Sequence, residues 1–179
     1  MNEKEKLEEA RYFYARTQAE VNDPKAYQYN LSAFLSAARS VLQYAKGEAE
    51  NKSGGQAWYD NRISNSPILP FFKGKRNINI HTEPVKPRKD YYVSMTATVN
   101  LSSSLLVTWI DGKGNVLDQR CIKEATPPQE SPTDNTTIEI KYRFSDWSGN
   151  EDVTELSRKY LDELEDVIED GIKRGFISG

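Results

Sequence analysis

Apolar residues recur at intervals of three and four through the first half of the chain. They recur at intervals of two through its middle, and at threes and fours again near its end. The first stretch predicts a helix over residues 3–21, rich in Glu, Lys, Ala and Arg, with Leu7, Ala10, Tyr14 and Thr17 along one face. Asn22 and Asp23 suit a turn, and Asp23-Pro24 reads as a cap followed by a proline at the first helical position. A second helix, over 24–48, carries Tyr27, Leu31, Phe34, Leu35, Ala38, Val41, Leu42 and Ala45 on its apolar face. The interleaved Ser32, Ala33, Ser36, Ala37 and Ser40 are small enough to let a neighbouring helix approach. "NKSGG" (51–55) interrupts the pattern, and a shorter helix over 56–64 carries Trp58, Tyr59 and Ile63. Pro67 and Pro70 predict that "ILPFFKGKRNINIH" begins irregular and becomes helical, and "TEPVKPRK" (82–89) reads as a linker.

Beyond the linker the period changes to two. Tyr91, Val93, Met95, Ala97, Val99 and Leu101 alternate with mostly polar partners, which predicts a strand with one buried face. "LLVTWI" (105–110), the turn "DGKGN" and "VLDQRCI" (116–122) read as a hairpin. A proline-rich loop (124–135) precedes "TTIEIKYRF" (136–144), with Ile138, Ile140, Tyr142 and Phe144 on one face. The last stretch is helical, with a stripe of Val153, Leu156, Tyr160, Leu164, Val167, Ile168 and Ile172. Asp152 and Glu155 form a capping pair at its start, Gly175 follows Lys173 and Arg174 at its end, and its acidic opposite face reads as solvated. The pattern therefore predicts an α+β chain. A bundle of about four to five helices starts over 1–85, an antiparallel β-meander is inserted over 90–147, and a helix over 151–175 completes the bundle.

Composition narrows the chemistry. The 179 residues, 37% hydrophobic and 28% charged, suit one domain with a small appendage. The single cysteine, Cys121, rules out an intrachain disulfide and fits a reducing compartment. The charged start "MNEKEKLEEA" lacks the apolar core of a signal peptide, and no run approaches the ~18 apolar residues of a membrane span. A soluble cytoplasmic protein is the expectation. One His and one Cys cannot build zinc sites of His and Cys within a chain, nor the paired Glu-x-x-His units of a di-iron bundle. There is no phosphate-binding Gly-rich loop, no dinucleotide fingerprint, and no nucleophile elbow beside the histidine. No metal or other cofactor is expected.

The net charge of −3 conceals an asymmetry. Residues 73–89 hold six basic side chains (Lys73, Lys75, Arg76, Lys86, Arg88 and Lys89) against the single acid Glu83, while the remainder is acidic. A phosphate backbone would be attracted to this region. Within it lies "KGKRNINIH", ending in the only histidine, His81. The Ile78/Ile80 alternation favours a strand, which would point Arg76 and His81 to opposite faces. A helix instead brings Asn77 and His81 within roughly 40° of each other, with Arg76 about 140° away and Ile78 turned toward a core. Periodicity alone does not decide between them.

The stretch "RNINIH" resembles the motif of the HEPN superfamily, an Arg and a His separated by four to six residues of which the first is polar. "AYQYNLSAFLSAARSVLQY" (26–44) is similar to the long second helix of its bacterial members, and the likeness covers roughly 3–85 and 151–175. The β segment has no counterpart in it. The resemblance implies a helical bundle that dimerises, with two motifs facing one cleft, and a metal-independent endoribonuclease of toxin–antitoxin or other defence systems. Other members of the family are inactive partners.

The chemistry can be argued separately. Cleaving RNA through its own 2′-hydroxyl needs one group to take that proton and another to protonate the leaving 5′-oxygen. One histidine per chain is too few, and a two-fold homodimer would bring two copies of His81 to one phosphate. Arg76 would neutralise the developing phosphorane charge, Asn77 would orient His81 or donate to the phosphate, and Lys73 and Lys75 would hold the backbone. The competing expectations are a catalytically inactive interaction module, with an antitoxin as a further partner of the active form, and a partner of a separate nucleotidyltransferase. Trp58, Trp109 and Trp147 read as core or interface residues.

Overall fold

A computed structural model describes residues 2–96, 105–123 and 135–178. Its element order is α1 (Asn2–Ala19), α2 (Pro24–Glu50), α3 (Gly55–Ser64), α4 (Ile68–His81), β1 (Arg88–Thr96), β2 (Leu105–Ile110), β3 (Val116–Lys123), β4 (Asn135–Arg143) and α5 (Val153–Lys173). The chain divides into two compact units, residues 1–91 with 140–179 and residues 92–139, and the division falls within β1 and β4.

The larger unit is the helical bundle. Helix α2 begins where the Asp23 carboxylate accepts hydrogen bonds from the Lys25 and Ala26 amides, with Pro24 supplying the helical φ of the first turn. Helix α5 begins in the same way, the Asp152 side chain accepting from the Glu155 amide. The turn between α2 and α3 requires glycine twice. Gly54 has φ of 80°, and a Cβ on Gly55 would lie 2.1 Å from the Ala49 carbonyl oxygen. Helix α4 forms despite Pro67 and Pro70 because prolines are tolerated in a first turn, whose amides have no partner within the helix. The Ser66 hydroxyl accepts from the freed Ile68 and Leu69 amides and itself donates to Glu163. The motif segment is therefore helical from its start.

The predicted apolar stripes form the core. Leu7, Ala10, Leu31, Phe34, Leu35, Val41, Leu42, Leu156, Tyr160, Leu164 and Val167 are all buried. An aromatic cluster joins three helices: Phe72 of α4 stacks on Tyr160 of α5 with centroids 4.2 Å apart, and Phe34 of α2 meets each ring edge-on at 6.2 Å. Full burial of each such side chain stabilises the fold by roughly 1.5–3 kcal/mol. Tyr142, at the end of β4, stacks on Tyr27 of α2 at 3.8 Å.

The strands differ from the expectation in pairing and in burial. Among the described residues β1 pairs with β4 and β2 with β3, as two separate two-stranded antiparallel sheets, so the arrangement is nested and not a meander. β2 and β3 are joined by a tight turn. There the Asp111 carboxylate accepts from the Lys113 and Asn115 amides and Gly114 adopts φ of 88°. The alternation that marks strands carries no information on which strand a neighbour will be. Tyr91, Val93 and Met95, expected on a buried face, are exposed, Met95 to 75%, as is Ile138. On β4 burial sets in only at its far end, with Ile140 packed against the core and Tyr142 buried, followed by buried Phe144. Residues 97–101 of the first predicted strand and 124–134 of the predicted proline-rich loop lie outside the described residues. Among the described residues, no helix is long and apolar enough to cross a membrane.

Candidate functional site on helix α4

Helix α4 presents two faces. Ile68, Leu69, Phe72 and Lys75 point into the bundle, while Lys73, Asn77, Ile80 and His81 are exposed. The outward residues follow the three- and four-residue spacing of one helical face, so Asn77 and His81 share a row, with Lys73 one turn before them. Arg76 lies at the edge of this row, half-buried. Its Nε is buried without a hydrogen-bond partner, and among the described residues no carboxylate pairs with the guanidinium. Ile78 was expected to face a core but is 40% exposed, over a small cavity of about 190 Å³ that it lines with Lys75, Val85 and Phe144.

The end of the helix is held by Asn79. Its amide nitrogen donates to the Ser32 hydroxyl of α2 at 2.7 Å, and its side-chain oxygen accepts from the Val85 amide at 3.1 Å. The Thr82 and Glu83 amides both donate to the Ile78 carbonyl, ending the helix at His81. The histidine therefore stands on the last turn of the helix.

Lys75 does not join this row. Its ammonium meets Asp146 Oδ1 at 2.5 Å and lies over the rings of Phe144 and Phe71, 4.8 and 5.2 Å from their centroids. With 9% of its surface exposed it pins α4 to the segment after β4, and it is not presented to a phosphate as the charge count had suggested. Charge counted along the chain cannot distinguish the two lysines, but the helix turns one outward and the other inward.

Arg39 was not singled out from the sequence. It is half-buried on α2, it makes no ion pair or hydrogen bond among the described residues, and with Lys73 it lines a cleft between α2, α3 and α4 of about 250 Å³. A signal was available, since Arg39 is the only charged residue between Lys25 and Lys46. A larger groove of about 570 Å³, between α1 and α5, contains none of the predicted site residues. Trp58 is buried, its indole nitrogen donating to Asp170 at 2.7 Å, and Trp147 packs on Phe71, but Trp109 is 44% exposed. Among the described residues no group of three or more His, Cys, Asp or Glu side chains is placed to hold a metal ion.

The outward face of α4 thus offers a guanidinium without a counter-ion, a carboxamide, an imidazole and an ammonium within three turns of one helix. No family model matches this chain, and neither the curated proteins nor the solved structures contain a match.

Proposed function

We propose that the protein is a metal-independent endoribonuclease of HEPN type whose active site is completed by a second copy of the chain. The supporting observation is Arg76, half-buried and without a carboxylate, beside exposed Asn77 and His81 on one helix end. A cation kept partly out of water without a counter-charge has its binding capacity for an anion intact, and a guanidinium is matched to a phosphodiester. In the proposed reaction one His81 removes the proton from the RNA 2′-hydroxyl. The 2′-oxygen attacks phosphorus, the bond to the 5′-oxygen breaks, and the partner's copy of the same imidazole protonates the leaving oxygen. The products are a 2′,3′-cyclic phosphate and a free 5′-hydroxyl. Arg76 bears the charge that accumulates on the phosphorane oxygens, and Asn77 orients the imidazole one turn away.

Incubation with RNA in excess EDTA should give fragments ending in 2′,3′-cyclic phosphate. Arg76→Ala and His81→Ala should each remove this activity while leaving the thermal transition in place. Sedimentation at micromolar concentration should show a dimer. A toxin or defence role would appear as growth arrest on overexpression, relieved by His81→Ala.

A second reading, a catalytically silent interaction module, is favoured by one observation. In the unit of residues 92–139 the described strands leave Met95, Leu106, Ile110 and Leu117 largely exposed. Uncovered apolar side chains at this density mark a surface that another molecule covers. Intact RNA under all conditions would make this the better account.

A further inference from the structure

The cleft between α2, α3 and α4 combines features that no role so far assigned explains. Its floor is apolar, made by Leu42, Leu69 and the half-buried Ile63, with the ring of buried Tyr59 beside them. Its rim carries Arg39, Lys46 and Lys73 against the single acid Asp60. Lys46 is answered by Glu50 at 3.0 Å, and Asp60 accepts from Gln56 at 2.7 Å, whereas Arg39 and Lys73 have no ion pair or hydrogen bond among the described residues. The rim is net positive, and two of the three cations that line the cleft are uncommitted among the described residues. Arg39 is also within electrostatic reach of the Tyr160 hydroxyl, which is buried without a hydrogen-bond partner.

An isolated charged residue in an otherwise uncharged helical stretch, half-buried, costs desolvation that an internal ion pair would normally offset. No such pair is present among the described residues. Apolar walls under uncommitted cations suit a ligand with a flat, weakly polar body and an attached anion. The volume, about 250 Å³, falls below the range usual for a complete drug-sized ligand and admits one base, leaving its phosphate at the rim.

We infer that this cleft is a nucleotide subsite, receiving one base of an RNA strand on its floor while Arg39 and Lys73 hold the adjoining phosphate. Lys73 links it to the proposed catalytic row, since His81 lies eight positions further along α4, about 12 Å away along the helix axis. That distance matches a short run of nucleotides, so a strand anchored in the cleft would extend past Asn77 and His81. The inference rests on the ribonuclease reading for its choice of RNA but makes its own binding prediction.

The test uses a fluorescein-labelled RNA whose 2′-positions are all methylated, so that it binds but cannot be cleaved, with anisotropy as the readout. Arg39→Ala should weaken binding about tenfold and flatten the dependence of log K on log salt by about 0.7, the share of one phosphate on a single strand. Ser64→Trp, which fills the exposed mouth of the cleft without removing charge, should weaken binding similarly. An abasic strand of equal length should bind the wild type less tightly than the complete strand. Unchanged affinity in both variants, or equal affinity for the abasic strand, overturns the subsite. If native RNA is still cut in that case, the nuclease reading survives alone. If the methylated strand binds through Arg39 but native RNA is never cut, the subsite stands and the nuclease reading falls.

Discussion

Lys73 and Lys75 stand two residues apart and do opposite things. A two-residue step on a helix turns the side chain through about 200°, so one ammonium reaches solvent and the other enters the bundle between Phe71, Phe144 and Asp146. Replacing Lys75 by Met keeps the length of the stem and removes the ion pair and the cation–π contacts. The expected result is a lowered melting temperature with RNA affinity unchanged, as read by differential scanning fluorimetry and anisotropy. Lys73→Ala should do the reverse, leaving the melting temperature in place and reducing the salt slope by about 0.7. Arg76 differs from both lysines, being partly buried and uncommitted, and is the residue on which the catalytic reading depends most.

At the scale of the element, α4 is the helix that carries the motif, and its position depends on a few contacts. Phe72 stacks on Tyr160, Lys75 reaches Asp146, and Asn79 bonds to Ser32 and to the Val85 amide. Phe72→Ala should cost about 3–5 kcal/mol, from lost burial plus the cavity left between α2 and α5. Urea denaturation followed by circular dichroism would show this as an earlier midpoint. The helix was partly legible in advance. The Asn77/His81 relation follows from helical geometry alone, but the Ile78/Ile80 alternation equally suited a strand. The choice was made by capping at Ser66 and by burial of Phe72, neither of which is a matter of spacing within the motif.

For the whole molecule, one cluster links the end of the β segment to α5. Hydrogen bonds from the Lys159 ammonium and the Trp147 indole hold the Glu151 carboxyl down to about 2, from an ordinary 4.5. A depressed carboxyl pKa stabilises the fold fully above the unfolded value and ceases to do so as pH falls through the folded one. The difference in melting temperature between wild type and Lys159→Met should therefore be constant above about pH 5 and shrink toward pH 2. Thermal melts across that range would check it. The exposed acidic face of α5 also carries the local pair Arg158–Asp162, in keeping with its reading as a solvated surface.

The helices α1, α2, α3 and α5 were readable from the chain itself to within a few residues, because apolar spacing, Asp23-Pro24 and the Asp152/Glu155 pair act close to where they stand, whereas the start of α4 was not. The α+β class and the location of the strands followed from the same local rules. Three matters were decided only when distant segments met. Nested strand pairing depends on partners far apart in sequence, and alternation specifies a face without specifying what covers it, so Val93 and Met95 are exposed where a buried face was expected. The direction of Lys75 depends on Phe144 and Asp146, seventy residues further on. The cleft at Arg39 exists only because α2, α3 and α4 enclose it, and a cavity between helices leaves no periodicity in any one of them.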